Sequence, residues 1–206
     1  MALSPMMGET PASERAEVEL AQRGEAEARE RLARRCRRSA YLLALHLLGD
    51  PDRARDVAQE AMVRFFRSLG RLDSSRPVRP WLFRVVRNQV NDLWRRGRMR
   101  RTEALDGRAG DLAGELKDPS GDPEESAQRH ELRRRLWQAL AALPTAKREI
   151  MVLRDYHDLS YAEIAAVLRI PVGTVMSRLH AARKALREAL GSEFAPSATV
   201  SGRKNR

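Results

Sequence analysis

The chain has 206 residues, 42% of them apolar, a formal net charge of +11 and a single cysteine, Cys36. That apolar share supports a packed core in one or two domains and excludes a broadly disordered chain. One cysteine excludes an internal disulfide and a cysteine-rich zinc site, and no apolar run reaches the roughly 18–20 residues that span a bilayer.

The opening "MALSPMMGETPASERAEVELAQ" lacks a basic stretch followed by an apolar one, so no secretory signal is expected and a cytoplasmic location is. Residues 1–19 read as a flexible tail. Charge is distributed in blocks, with net −4 over residues 1–30, +13 over 31–101, −6 over 102–127 and +6 over 128–191. Two basic blocks around an acidic strip suit either solvated helix faces or two polyanion-binding modules on a tether.

In the first basic block, residues 25–48 predict a long helix ending at Gly49, a favoured position for a left-handed terminus. Within it His46 and Cys36 read as packed side chains. Asp50 and Pro51 predict the cap and first position of the next helix. There Val57, Ala61 and Phe65 share one face, with Met62, Phe66 and Leu69 beside it. "RLDSSRPVRP" predicts a loop, and "WLFRVVRNQVNDLWRRGRMR" another helix with Trp81, Val85 and Asn88 stacked along it and Leu82, Val86 and Leu93 broadening its apolar side. That apolar spacing favours Trp81 as a core anchor over a stacking platform for bases. Residues 102–127, rich in Gly, Pro and acid, predict a flexible linker.

The second block predicts helices over residues 124–143, 145–156, 161–168 and 172–190, then a flexible tail over 192–206. Period-two alternation is nearly absent, so the expected class is all-α: two small helical domains, the second ending in a helix-turn-helix. Ser160 and Glu163 have the spacing of a capping box, and Pro171 discourages Ile170 from staying helical. Ile164, Ala165 and Leu168 are expected inward, as are Val175, Leu179, Ala182 and Leu186. The opposite face carries Thr174, Ser177, Arg178, His180, Ala181, Arg183 and Lys184. Short side chains near a helix start let it enter a major groove, and bases further along meet phosphates.

Two clusters of polar residues need weighing. "RDYHDL" (residues 154–159) places two acids and a histidine together, but at a helix end with no second cluster converging, so metal binding or acid–base chemistry is not expected. No metal or cofactor is expected anywhere. "DVAQE" puts Asp56, Gln59 and Glu60 on one helix face. An acidic patch in a basic domain suits a basic protein surface better than nucleic acid, although spacing alone is equally met by a solvated face.

Taken together, "LLGDPDRARDVAQEAMVRFFRSL", "RPWLFRVVRNQVNDLWRRGRMR" and "LPTAKREIMVLRDYHDLSYAEIAAVLRIPVGTVMSRLHAARKAL" resemble bacterial RNA polymerase sigma factors of the extracytoplasmic-function (ECF) group. The resemblance covers residues 20–101 as sigma region 2 and 128–191 as region 4. It implies that Asp56, Gln59 and Glu60 dock on the clamp helices of the polymerase β′ subunit, with the β subunit a further contact. It implies that Asn88 contacts bases of the −10 promoter element while Arg84, Arg87, Arg95 and Arg96 hold phosphates. Thr174, Ser177, Arg178, His180, Ala181, Arg183 and Lys184 match the stretch that reads the −35 element, with Met176 where relatives often carry a polar or charged residue. Also implied are an anti-sigma partner, a linker running near the RNA exit path, and no catalytic residue. The competing readings are a conventional helix-turn-helix regulator, which leaves the "DVAQE" face and the arginine-rich helix without a role, and a nucleic-acid enzyme, which lacks converging carboxylates or a nucleophile.

Overall fold

The structure is a computed structural model that describes residues 11–99 and 123–190, and every regular element among them is helical. The first element, α1 (Pro11–Arg23), already departs from the expected tail over residues 1–19. It packs on α2 (Ala26–Leu48) with Val18 and Ala21 buried. The Gln22 amide donates to the carbonyls of Leu69 at 2.9 Å and Leu72 at 2.8 Å, and Glu17 accepts from Arg31 at 3.3 Å and forms an ion pair with Arg35 at 2.6 Å. These anchors lie far along the chain, so a local reading of a glutamate-rich stretch misses the docking.

The boundaries of α2 and of α3 (Pro51–Ser68) follow local chemistry. Gly49 closes α2 at φ 67°, donating its N–H to Leu45 O at 2.8 Å, and the Asp50 carboxylate accepts from the N–H groups of Asp52 and Arg53. Such a cap is worth about 1 kcal/mol over alanine. Val57, Ala61, Met62 and Phe65 are buried as expected, and Leu69 is buried in the 3₁₀ turn Leu69–Arg71. Phe66, expected beside them, is instead 52% exposed.

Helix α4 (Val78–Met99) begins three residues before Trp81 and takes Pro80 into its first turn, where a missing N–H costs nothing. Its buried line is Leu82, Phe83, Val86 and Val90, while Trp81 and Val85 are half-buried and Asn88 is exposed. The apolar face is thus rotated from the expected Trp81–Val85–Asn88 line, which forms its rim. Trp81 packs near Phe65, with ring centroids 6.3 Å apart, in keeping with a core anchor.

The linker expected over 102–127 lies outside the described residues except where α5 (Pro123–Ala142) takes up 123–127, and the tail expected over 192–206 lies wholly outside them. Helix α6 (Thr145–Met151) widens into a π-helical turn, Val152–Tyr156, before α7 (Tyr161–Leu168) and α8 (Val172–Leu190) form the helix-turn-helix. The wider turn rotates the residues that follow it, bringing Tyr156 and His157 to the first domain.

There they join a seam that the sequence does not announce. Helix α4 packs on α7, and α2 on α6 and the π turn, so both cores merge into one apolar cluster. His46 stacks on Trp137 at 4.6 Å and tilts against Tyr156 at 4.7 Å and His157 at 5.5 Å, while Phe83 meets His157 edge-on at 4.7 Å. His46 is packed, as expected. His157, within the polar stretch "RDYHDL", is also interior.

Candidate nucleic-acid interface

The helix-turn-helix is built from its caps. Ser160 Oγ accepts from the Glu163 N–H at 3.2 Å, and the Glu163 carboxylate accepts from the Ser160 N–H at 2.8 Å. Arg169 closes α7 in the left-handed region at φ 56°. Pro171 O then accepts from the N–H groups of Thr174 and Val175, starting α8. Val175, Leu179 and Ala182 are buried against α6 and α7, which fixes the outward direction of the other face.

That face presents Met176, Ser177, Arg178, His180, Ala181, Arg183 and Lys184 to solvent, with Thr174 half-buried. Ser177 Oγ donates to Thr174 O at 3.1 Å, holding its side chain close to the helix. Arg183 donates to Asp155 at 2.7 Å, and this bond raises its already high pKa and holds the guanidinium at one flank. Lys184 lies 3.9 Å from Glu188. Met176 is 55% exposed, an apolar side chain in a polar surface.

The second set divides. Asn88, Arg95 and Arg96 are exposed on α4, Arg95 pairing with Asp92 at 2.6 Å. Arg84 and Arg87 point into the seam. The Arg84 guanidinium donates to Ala166 O at 3.0 Å, and Arg87 is paired with Glu149. One turn earlier, Arg79 donates to His157 O, and from the other side Arg148 donates to Leu47 O at 3.4 Å. Glu149 is only 6% exposed, and burial raises its carboxyl pKa against the pull of Arg87 and Arg178.

Asp56, Gln59 and Glu60 are exposed on one side of α3, with Glu60 accepting from Arg64 at 3.0 Å. Val63 and Phe66 extend the same stripe at helical spacing and are also exposed. The apolar half of this face escapes a sequence reading that assigns Phe66 to the core. In "RDYHDL", Asp155 serves Arg183, Asp158 lies 3.6 Å from Arg154, and no metal-binding group of His, Cys, Asp and Glu forms among the described residues. Cys36 is buried, and burial pushes its thiol up to about 12, so it carries no thiolate at neutral pH.

Comparison with known proteins meets this geometry. Residues 32–100 match Sigma-70 region 2, and residues 133–186 match Sigma-70, region 4. The chain is 35% identical over 179 residues to the RNA polymerase sigma-H factor of Pseudomonas aeruginosa, covering 84% of this chain and 91% of that protein. It is 32% identical over 158 residues to the ECF RNA polymerase sigma factor SigW of Bacillus subtilis, covering 73% and 82%. In fold it is similar to CnrH, solved in complex with the cytosolic domain of CnrY, with a TM-score of 0.61 at 28% identity over 84% of this chain and 94% of that one. It is also similar to the sigma factor RpoE of Bartonella quintana, solved with the anti-sigma factor NepR, with a TM-score of 0.63 at 21% identity over 78% and 95%. The arginine-rich helical domain and the basic helix-turn-helix thus coincide with the two matched sigma-70 regions. The chain belongs to the ECF group of RNA polymerase sigma factors. It acts as an alternative sigma factor, in a family of regulatory proteins that are in general not enzymes.

Proposed function

We propose that this chain directs core RNA polymerase to promoters carrying paired −35 and −10 elements and assists in melting them. In this reading α8 enters the major groove of the upstream element, with Thr174, Met176, Ser177, Arg178, His180 and Ala181 nearest the bases. Arg183 and Lys184 meet phosphates along the groove. Asn88 of α4 reads the exposed non-template strand while Arg84, Arg87, Arg95 and Arg96 hold its backbone. Melting then needs no catalytic group, because capture of unstacked bases offsets a few kcal/mol of unstacking.

The observation that carries the reading is the presence, in one chain, of a capped helix-turn-helix with an exposed basic face and a third surface of opposite character on α3. Asp56, Gln59 and Glu60 beside exposed Val63 and Phe66 make a mixed acidic and apolar face, suited to a basic helical surface of the β′ subunit. In this reading an anti-sigma protein is a further partner, as for the structurally similar sigma factor RpoE, solved with the anti-sigma factor NepR. The test is the affinity of the Gln59→Ala, Glu60→Lys double variant for core polymerase. Binding should weaken about tenfold or more, with retention of the full chain on nonspecific duplex DNA unchanged. Equal polymerase affinity in variant and parent would remove the α3 face from the docking surface.

A further inference from the structure

The stretch "RDYHDL" holds two acids that the proposed function leaves without a task, and one of them reaches the recognition helix. Asp155 lies in the π-helical turn Val152–Tyr156, and its carboxylate accepts from Nη2 of Arg183 at 2.7 Å across 28 residues of chain. Turns of this kind recur at functional sites, where the extra residue redirects the side chains around it. Here the redirected segment is held at several points. Arg154 donates to Leu159 O at 2.8 Å and lies over the Tyr161 ring at 5.2 Å, while Asp158 turns the chain in the left-handed region at φ 50°. The N–H groups of His157 and Leu159 donate to Val152 O and Leu153 O, each at 3.1 Å. Asp155 is therefore a fixed point beside α8 rather than part of a loose helix end.

We infer that Asp155 is a positioning residue for DNA binding: it holds the Arg183 guanidinium at the flank of α8, ready for a phosphate of the duplex that α8 enters. The role of Arg183 at a phosphate rests on the function proposed above, whereas its ion pair with Asp155 does not. The geometry leaves room for both partners. A guanidinium carries five N–H donors in a planar fork, and the bond to Asp155 engages Nη2. The Arg183 side chain is 46% exposed, so a phosphate can reach it beside the carboxylate. Two effects of that carboxylate oppose each other. Its charge repels phosphates, but it is partly exposed, screened within about 8 Å at physiological salt, and paired with a cation. Against this, a free arginine side chain loses much rotamer freedom when it binds, whereas one already held loses less. Lys184 shows the contrast: its acid, Glu188, lies 3.9 Å away on the same exposed helix, a contact too loose to fix a long side chain. Positioning therefore outweighs repulsion at Arg183.

The experiment measures binding of the full chain to a fluorescein-labelled duplex of mixed sequence, by anisotropy at several salt concentrations. Arg183→Ala should weaken binding about fivefold and lower the slope of log K against log salt by about 1, the signature of one lost phosphate contact. Asp155→Ala should weaken binding about threefold, less than loss of the arginine itself, and Asp155→Glu, which keeps the charge, should recover part of it. Asp155→Asn, of the same size, repeats the test if the alanine variant fails to fold. In the Arg183→Ala background, Asp155→Ala should change nothing further, because the two residues act as one unit. A purely structural role would instead weaken binding equally in both backgrounds and would overturn positioning. Tighter binding by Asp155→Ala would show that repulsion dominates, and would overturn it too. Parent affinity in Asp155→Ala, with Arg183→Ala weakened, would overturn positioning and leave the phosphate contact of Arg183 in place. Parent affinity in Arg183→Ala would remove Arg183 from the DNA face, and the task of Asp155 with it.

Discussion

Met176 shows what a single side chain adds to the recognition surface. It is 55% exposed within a polar face, and the apolar feature offered by a major groove is the thymine methyl group. We predict that Met176→Gln weakens binding to the −35 element about threefold to tenfold, as expected for one apolar base contact. Replacing thymine by uracil in that element should weaken the parent equally and leave the variant unaffected. Uracil substitution that lowers both alike, measured by fluorescence anisotropy, would sink the contact. At this scale the sequence is most legible where the determining partner is near. Asp50, Gly49, Ser160 and Glu163 form the caps their positions predict because each bonds within four residues. Phe66 is not legible, since helical spacing places it beside Phe65 and Leu69 but cannot say which side of α3 lacks a neighbour.

The helices themselves follow the apolar period closely, and the differences come from distant partners. Helix α1 forms and docks because Val18 and Ala21 enter the core and Gln22 satisfies two carbonyls of the turn after α3. Gln22→Ala should lower stability by about 1–2 kcal/mol, the cost of unsatisfied, partly buried acceptors. Urea denaturation followed by circular dichroism checks this: an unchanged midpoint would mean that water replaces the amide and that α1 contributes little. The rotation of α4 has the same origin. Its Leu82–Phe83–Val86–Val90 line faces the core, but Phe83 also reaches His157 across the seam, so no single amphipathic stripe describes the helix.

For the whole molecule, the two helical domains are legible but their contact is not, because His46, Trp137 and His157 meet only in three dimensions. The seam gives a pH dependence. Burial holds His46 neutral, its pKa drawn down to about 3 from an ordinary 6.5, and burial, then the neighbouring His46 and Arg79, draws His157 down as well. His46 faces Trp137 from α5, Tyr156 and His157 from the π turn and its end, and lies beside Leu47, whose carbonyl binds Arg148 of α6; His157 faces Phe83 and Arg79 of α4. For groups with depressed pKa values the stabilisation of the closed form is complete above about pH 6.5 and is lost as pH falls, for His46 toward 3, by up to about 1.4 kcal/mol per pH unit. Glu149, raised by burial, works in the opposite direction, since acid favours its closed form. We predict that the interdomain distance lengthens between pH 6.5 and 5 with helicity retained, and that His46→Phe, which keeps a ring against Trp137, shifts the transition to lower pH. A transition at the same pH in the His46→Phe chain would assign the acid response elsewhere.

The central claim, that a chain of this architecture supplies promoter specificity to a polymerase, meets its most direct test in transcription. Core RNA polymerase lacking any sigma factor is mixed with the full chain and a library of promoter fragments from the same genome, and start sites are mapped. The account predicts discrete starts that appear only with the protein present, preceded by two shared sequence elements at constant spacing. No initiation, with tight binding of the isolated protein to palindromic duplex, would contradict it and point to a conventional helix-turn-helix regulator.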